Sequence, residues 1–378
     1  MTELFIAAGG GGDPVGTALV HASLGAGADA VVLTYGWERP SVDPVPGPFA
    51  AHDFTGLDHD SLPVALVTTG TRPVAPRAST LPRLAGHLPT RLALLDPHEG
   101  VEGLADRIAR TARALGTDRV HVVDVGGDVL AHGDEPTLAS PLLDALALAA
   151  CHLAGVRTTV HVTGPGLDGE VPEETLLGRL PGAGSGLGPT LPPWAADVLR
   201  WHPSEASTLL AAAAAGLRGP CLTRSGALPL TDRSGRVWSL PLSRALEHNR
   251  LARGLLSTRP ATLADAEEVS LELYGFNEVA RERRRTARGH VTRDHIDRGT
   301  FLSELDAWLQ VQRAGNPGAR YASVRCAIES LGYDWRVTEH VRDLLARHRP
   351  GVDTFPLLSL LDRLADGPAE RGHAGVPY

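Results

Sequence analysis

The chain has 378 residues, 43% hydrophobic and 21% charged, which is a globular balance rather than a disordered one and is long enough for one elaborated domain or two. A formal net charge of −8 argues against general nucleic-acid binding, which needs a basic footprint. No lysine occurs, so Schiff-base, pyridoxal-phosphate and Walker-type phosphate lysines are excluded, and any anion must be held by Arg, backbone N–H groups or helix N-termini.

A GC-rich genome of the actinobacterial kind would explain the absence of lysine. Aromatic residues are only 4%, so the core must be built from Ala, Leu and Val. Cys151, Cys221 and Cys326 stand far apart with no C-x-x-C pair, which points to neither a zinc ribbon nor a disulfide framework. No basic leader and no apolar run of about 18 residues is present, so the expectation is a cytoplasmic protein with no membrane partner.

In chain order, residues 4–8 form a short apolar run that opens into four glycines. Asp13-Pro14 then suits a helix start, with Asp as cap and Pro in the first turn, and the helix runs to about Leu24, stopped by Gly25 and Gly27. Residues 30–35 are the next strand, completing a βαβ unit. Residues 64–69, 91–95, 119–125 and 157–163 read as strands. Residues 101–115 read as a helix, as do those from Ser140-Pro141 to about Ala154, with Ser140 as cap. Strands alternating with helices predict an α/β, Rossmann-like fold with a largely parallel sheet and helices on both faces.

Residues 164–193 are rich in Gly and Pro and read as a lid or a linker. A helix capped by Ser204 follows, then a hairpin over 227–240 around residues 232–235. The spacing divides the chain into a Rossmann-like domain over 1–240 and a mostly helical C-terminal region over 241–378. Helices are expected near 301–313, 321–331 and 338–347, and a frayed tail from about Asp366. The arginine run from Arg281 to Arg288 reads as a solvated helix face balanced by Glu278 and Glu282.

Four segments carry candidate chemistry. Gly9, Gly10, Gly11, Gly12 and Asp13 follow the first strand, where backbone N–H groups and a helix N-terminus suit an anion. Pro14 stands where the dinucleotide fingerprint needs its third glycine, and the second strand ends in Thr34-Tyr35-Gly36-Trp37 rather than a ribose-binding acid, with Glu38 nearby. NAD(P) is therefore the weaker cofactor expectation. The block from Asp124 to Glu135 follows a strong strand and gathers Asp124, Gly126, Gly127, Asp128, His132, Asp134 and Glu135. Carboxylates placed together can split into an acid and a base or hold a hard cation, so Asp128, Asp124, Glu135 and His132 are the catalytic candidates, and Asp124 with Asp128 the candidate ligands of a divalent metal. Ser140, beside Asp144, and the pair Ser204 and Glu205, after Trp201-His202, complete the ligand-binding candidates, although capping alone also explains both serines.

The blocks AAGGGGDP, VDVGGDVLAHGDEPTLASPLLDALALAA and HPSEASTLLAAAAAGLRG, in that order, resemble an uncharacterised bacterial and archaeal family catalogued as domain of unknown function eleven fifty-two. The resemblance covers roughly the first 220 residues, with FNEVARERRRTA as a further block. It implies an α/β, Rossmann-like fold and supplies no activity and no catalytic residue. The expected function is an enzyme of small-molecule, biosynthetic metabolism acting on a polar, anionic or phosphate-bearing metabolite by transferase, lyase or hydrolase chemistry. An NAD(P)-dependent oxidoreductase and a non-catalytic ligand-binding or scaffold protein are the alternatives, and a homo-oligomer stays open.

Overall fold

A computed structural model describes residues 2–25, 29–286 and 292–361. Gly27, Arg288 and the expected tail from Asp366 lie outside the described residues. Five parallel strands form the centre: β1 (Glu3–Ala7), β2 (Ala30–Tyr35), β3 (Arg91–Leu95), β4 (Arg119–Val125) and β5 (Arg157–Thr163). They stand in the order β3-β2-β1-β4-β5. Every residue of β2 is buried, as a strand covered on both faces requires, which is why its sequence is apolar without alternation. Antiparallel strands close both edges: Leu66–Val67 beside β3, and Arg236–Pro241 followed by Ser185–Gly186 beside β5.

Helices α1 (Asp13–Ser23), α2 (Gly100–Leu115) and α3 (Leu142–Ala154) provide the connections. α2 buries Val101, Leu104, Ala105, Ile108 and Ala112 at helical spacing and exposes its charged side. α3 is buried nearly throughout because it lies between α2 and the helix Arg250–Thr258. Among the described residues no helix is long and apolar enough to cross a membrane.

Beyond Pro241, helices over 242–274 lie on this core. A second sheet then runs Gly226–Leu230, Gly219–Thr223, Tyr321–Ala322, Leu357–Ser359, Asp353–Thr354, backed by Phe301, Leu305, Ile328 and Leu345. The C-terminal region is helical apart from its short strands.

Three local expectations need correction. The expected hairpin does not form: Gly226–Leu230 pairs with Gly219–Thr223, while Arg236–Pro241 crosses to β5. That strand carries Val237, Trp238 and Leu240, whose burial is obtained only at the open edge of the large sheet. Ser140 is not a helix cap, because α3 starts at Leu142 after Pro141 and the Ser140 hydroxyl donates to Glu170 instead. Asp13 is the first residue of α1 rather than its cap, and its carboxylate turns back to accept the Gly9 N–H at 2.7 Å.

Candidate functional site

β1 lies between β2 and β4, and the chain leaves β1 and β4 toward opposite sides of the sheet. The crevice at their carboxyl ends is the topological switch point, where open α/β sheets bind ligands. A cavity of about 840 Å³ opens there, within the size range of small-molecule sites. The glycine loop at 9–12 with Asp124, Val125 and Asp128 forms its floor, residues 168–170 and 203–206 its walls, and Glu278, Arg285, Arg325, Glu329 and residues 333–336 its roof.

The glycine loop is shaped by contacts on two sides. A Cβ on Gly10 would stand 2.6 Å from the Trp37 carbonyl oxygen, and one on Gly12 would stand 1.9 Å from Ser204 Oγ; Gly11 has φ +63°. The Ser207 hydroxyl donates to the Gly12 carbonyl at 2.9 Å, tying the loop to the helix Glu205–Ala214. Gly9 N–H is taken by Asp13, but the N–H groups of Gly10, Gly11 and Gly12 find no acceptor among the described residues. Three amides without a protein acceptor at the start of an eleven-residue helix have the chemistry to hold an anion.

Opposite the amides stand the carboxylates. Gly126 and Gly127, with φ +134° and +119°, fold the chain after β4 so that Asp124 Oδ2 accepts the Val129 N–H at 3.1 Å. A second turn stacks on the first, with Gly166 N–H donating to the Gly126 carbonyl at 2.8 Å. This brings Asp168 so close that a Cβ on Gly126 would lie 2.0 Å from its Oδ2. Asp168 stands close enough for its charge to raise the Asp128 carboxyl. Asp144, in the first turn of α3, reaches the same floor, and one oxygen each of Asp13, Asp124 and Asp144 lie within 4.8 Å of one another. Asp124, Asp128 and Asp144 are 3–4% exposed, and Oδ1 of both Asp128 and Asp144 has no hydrogen-bond partner.

Burial, then mutual repulsion, raises these carboxyls above the ordinary carboxylate range. Asp124 is pushed up to about 7 by burial, with Glu170 adding to it. Asp128 and Asp168 rise by burial and then by Glu170, Asp144 by burial and then by Asp124, and Asp13 by burial and then by Asp124. Arg39 is a cation at this edge, 3.9 Å from both Glu170 and Glu278, and it donates to Ser140 Oγ at 3.0 Å. Glu170 also accepts the Ala139 and Ser140 N–H groups, each at 2.7 Å, which fixes the entry to α3.

The loop glycines, Asp13, Asp124 and Asp128 therefore meet in one place, and Ser140, Ser204 and Glu205 line the same cavity; Gly126 and Gly127 do not line it but shape the turn beneath, packed against Asp168 and Leu176. Ser204 caps its helix through the Ser207 N–H, as its sequence position suggests. Glu205 is held by the Ser323 hydroxyl and the Arg224 N–H. Glu135 and His132 do not join the cluster. Glu135 is bound to Arg179 at 2.6 Å and to the N–H groups of His132 and Gly133, because the chain turns outward after Leu130; His132 is half-exposed beside Asp134. Asp168, Glu170, Arg39 and Glu278 were not among the residues expected from sequence. An Asp-Gly-Glu inside a Gly/Pro-rich stretch was the one available signal for the first two. Glu38 spends its Oε1 on Ser79 Oγ, Thr80 Oγ1 and the Thr80 N–H, at 3.1, 2.7 and 2.6 Å.

A family model described as protein of unknown function (DUF1152) matches residues 4–286, and the chain belongs to that family. No curated protein and no solved structure matches it.

Proposed function

We propose that this chain is an enzyme acting on a small, polar, anionic metabolite, phosphate- or carboxylate-bearing, at the switch-point cavity. The N–H groups of Gly10, Gly11 and Gly12, with Arg39 at the rim, take the anionic group. Asp128 and Asp168 hold and move the proton at the reacting end. The observation that carries the reading is Asp128: its Oδ1 is buried without a partner, and the residue lines a ligand-sized cavity beside a second carboxyl. A buried oxygen left unpaired costs about 1–3 kcal/mol, which a ligand donor would recover. Two neighbouring carboxyls that cannot both ionise divide into an acid and a base, which is the requirement of proton-transfer chemistry at neutral pH.

Group transfer, elimination and hydrolysis each fit this arrangement. The nicotinamide reading is weaker, because Glu38, the acid nearest the ribose position, is occupied by Ser79 and Thr80. The raised carboxyls also favour an enzyme over a passive scaffold.

The test is a thermal-shift panel of inorganic phosphate, pyrophosphate, sugar phosphates, nucleotides and dicarboxylates. A ligand at about 100 times its Kd should raise Tm by roughly 2 °C or more. Asp128→Asn should leave the fold intact, abolish that shift or lower kcat by about 10²–10⁴. No shift across the panel, or an equal response and turnover in Asp128→Asn, would sink the reading.

A further inference from the structure

An anion on the glycine loop faces a difficulty of charge. Asp13 and Asp144 stand against the same loop: a Cβ on Gly9 would lie 2.3 Å from Asp13 Oδ2 and 3.6 Å from Asp144 Oδ2. Burial and mutual repulsion resist their ionisation, and any that does ionise repels an anion about 4 Å away by roughly 4 kcal/mol at an effective dielectric of 20. Of the arginines lining the cavity, Arg39 is shared between Glu170 and Glu278, Arg224 and Arg325 pair with Glu329, and Arg336 pairs with Asp334.

The geometry points to a divalent cation site formed by Asp13, Asp124 and Asp144, taking a hard ion, Mg²⁺ or Mn²⁺. The three come from the start of α1, the end of β4 and the first turn of α3, so the fold rather than a flexible loop sets their spacing. Oxygens across one ion lie no farther apart than twice the metal–oxygen distance, about 4.2 Å for Mg²⁺ and slightly more for larger ions. Mutual separations within 4.8 Å need little or no contraction.

A second observation points to a ligand independently of the acidity. Asp144 Oδ1 is buried in a residue 3% exposed, has no partner and belongs to a side chain lining the cavity; Asp128 Oδ1, outside the triad, is equally unpaired. Among the described residues no N–H or O–H reaches these two oxygens, which leaves them to a cation, a water or a donor on a bound molecule. Only glycine fits at position 9, because a side chain there would strike the Asp13 carboxylate. The donors are all carboxylate oxygen, with neither His nor Cys, which selects Mg²⁺ or Mn²⁺ over zinc or copper.

The cation site stands on the three aspartates. That its open positions bind the substrate's anionic group beside Gly10–Gly12 rests on the function proposed above. The bound ion would then screen that anion from the aspartates and orient it, as metal ions do for phosphoryl groups.

The experiment is titration of EDTA-stripped full-length protein with MnCl₂ alone, read by electron paramagnetic resonance and calorimetry, with MgCl₂ in competition. One saturable Mn²⁺ per chain is expected, displaced by Mg²⁺ and accompanied by a rise in Tm. Asp144→Asn should weaken it at least about 10-fold, while Asp134→Asn, exposed and outside the cavity, leaves it unchanged. Should Asp144→Asn fail to fold, Asp13→Asn at the half-buried helix start reads the same loss. Absence of binding at millimolar Mn²⁺, or wild-type affinity in the folded aspartate variants, overturns the site. Mn²⁺ binding with no response to any phosphorylated compound upholds the site and removes the enzymatic reading. A phosphorylated ligand that binds equally well in EDTA upholds that reading and removes the bridging cation.

Discussion

His161 in β5 is 3% exposed, and its ring nitrogens lie 2.8 Å from His121 Nδ1 and 2.9 Å from Ser239 Oγ. Burial, with His121 adding to it, pulls its pKa from the ordinary 6.5 to about 4. His121 is itself lowered, by burial and then by Arg119 and His21 against the pull of Glu3. A depressed pKa means that the unfolded chain takes the proton first as pH falls. The stability this histidine contributes is therefore present above pH 6.5 and lost on the way down to about pH 4, on the order of 3 kcal/mol. His202, pulled to about 3 by burial and then by Arg325 and Arg83, acts in the same direction. Urea midpoints measured at pH 7 and pH 4 should converge when wild type is compared with His161→Gln; an undiminished gap at pH 4 would show that the ring is not excluded from protonation. At this scale the sequence was only partly legible. The strand-then-GGD pattern marks Asp124 and Asp128, and their position at the end of β4 follows. That Glu135 turns to Arg179 instead is decided by a residue 44 positions away in the chain, which no local pattern contains.

The helix Glu278–Thr286 shows the same limit for an element. Its arginines suggested a solvated face that Glu278 and Glu282 balance. The i, i+4 spacing does put both glutamates on one face, but that face is inward, and each is 4% exposed. Glu282 Oε2 accepts Trp37 Nε1–H at 2.7 Å and the Gly47 N–H at 3.0 Å, while Arg283 and Arg284 carry the solvent side. Periodicity gave the helix and its two faces; it could not say which face another element would cover, because Trp37 and Gly47 lie more than 200 residues earlier. Glu282→Ala should leave two buried donors unpaired and cost about 2–3 kcal/mol. Glu282→Gln, which keeps an acceptor, should recover much of this. Because the Trp37 carbonyl abuts Gly10, the alanine variant should also weaken whatever ligand the glycine loop holds. Chemical denaturation of the pair decides it: an alanine variant as stable as wild type would mean that these donors reach water.

For the whole molecule, the parallel core and its strand ends were readable because each βα unit is local, with apolar strands and glycine stops inside about 30 residues. The roof of the cavity was not, since it depends on contacts between chain segments that share no local pattern. Arg325 is the clearest such contact. It is 8% exposed, it donates to the Pro203 carbonyl at 2.7 Å and to Ser41 Oγ, and it pairs with Glu329 at 2.8 Å. One side chain from the second sheet's helix thus holds the segment before Glu205–Ala214 and the segment after β2, two walls of the cavity. Glu205 reinforces it by accepting from the Ser323 hydroxyl. Arg325→Ala removes a buried charged donor from both walls at once and should destabilise by about 3 kcal/mol. The loss should be uneven. Amide hydrogen exchange should quicken over residues 292–361 and around residues 203–208, while β1, β2, β4 and β5 keep their protection, because their hydrogen bonds lie within the parallel sheet. Ligand affinity should fall with the roof even though no floor residue has changed. Uniform acceleration across both sheets would instead mean that the two open as one cooperative unit, and that Arg325 supports global stability rather than the closure of the site.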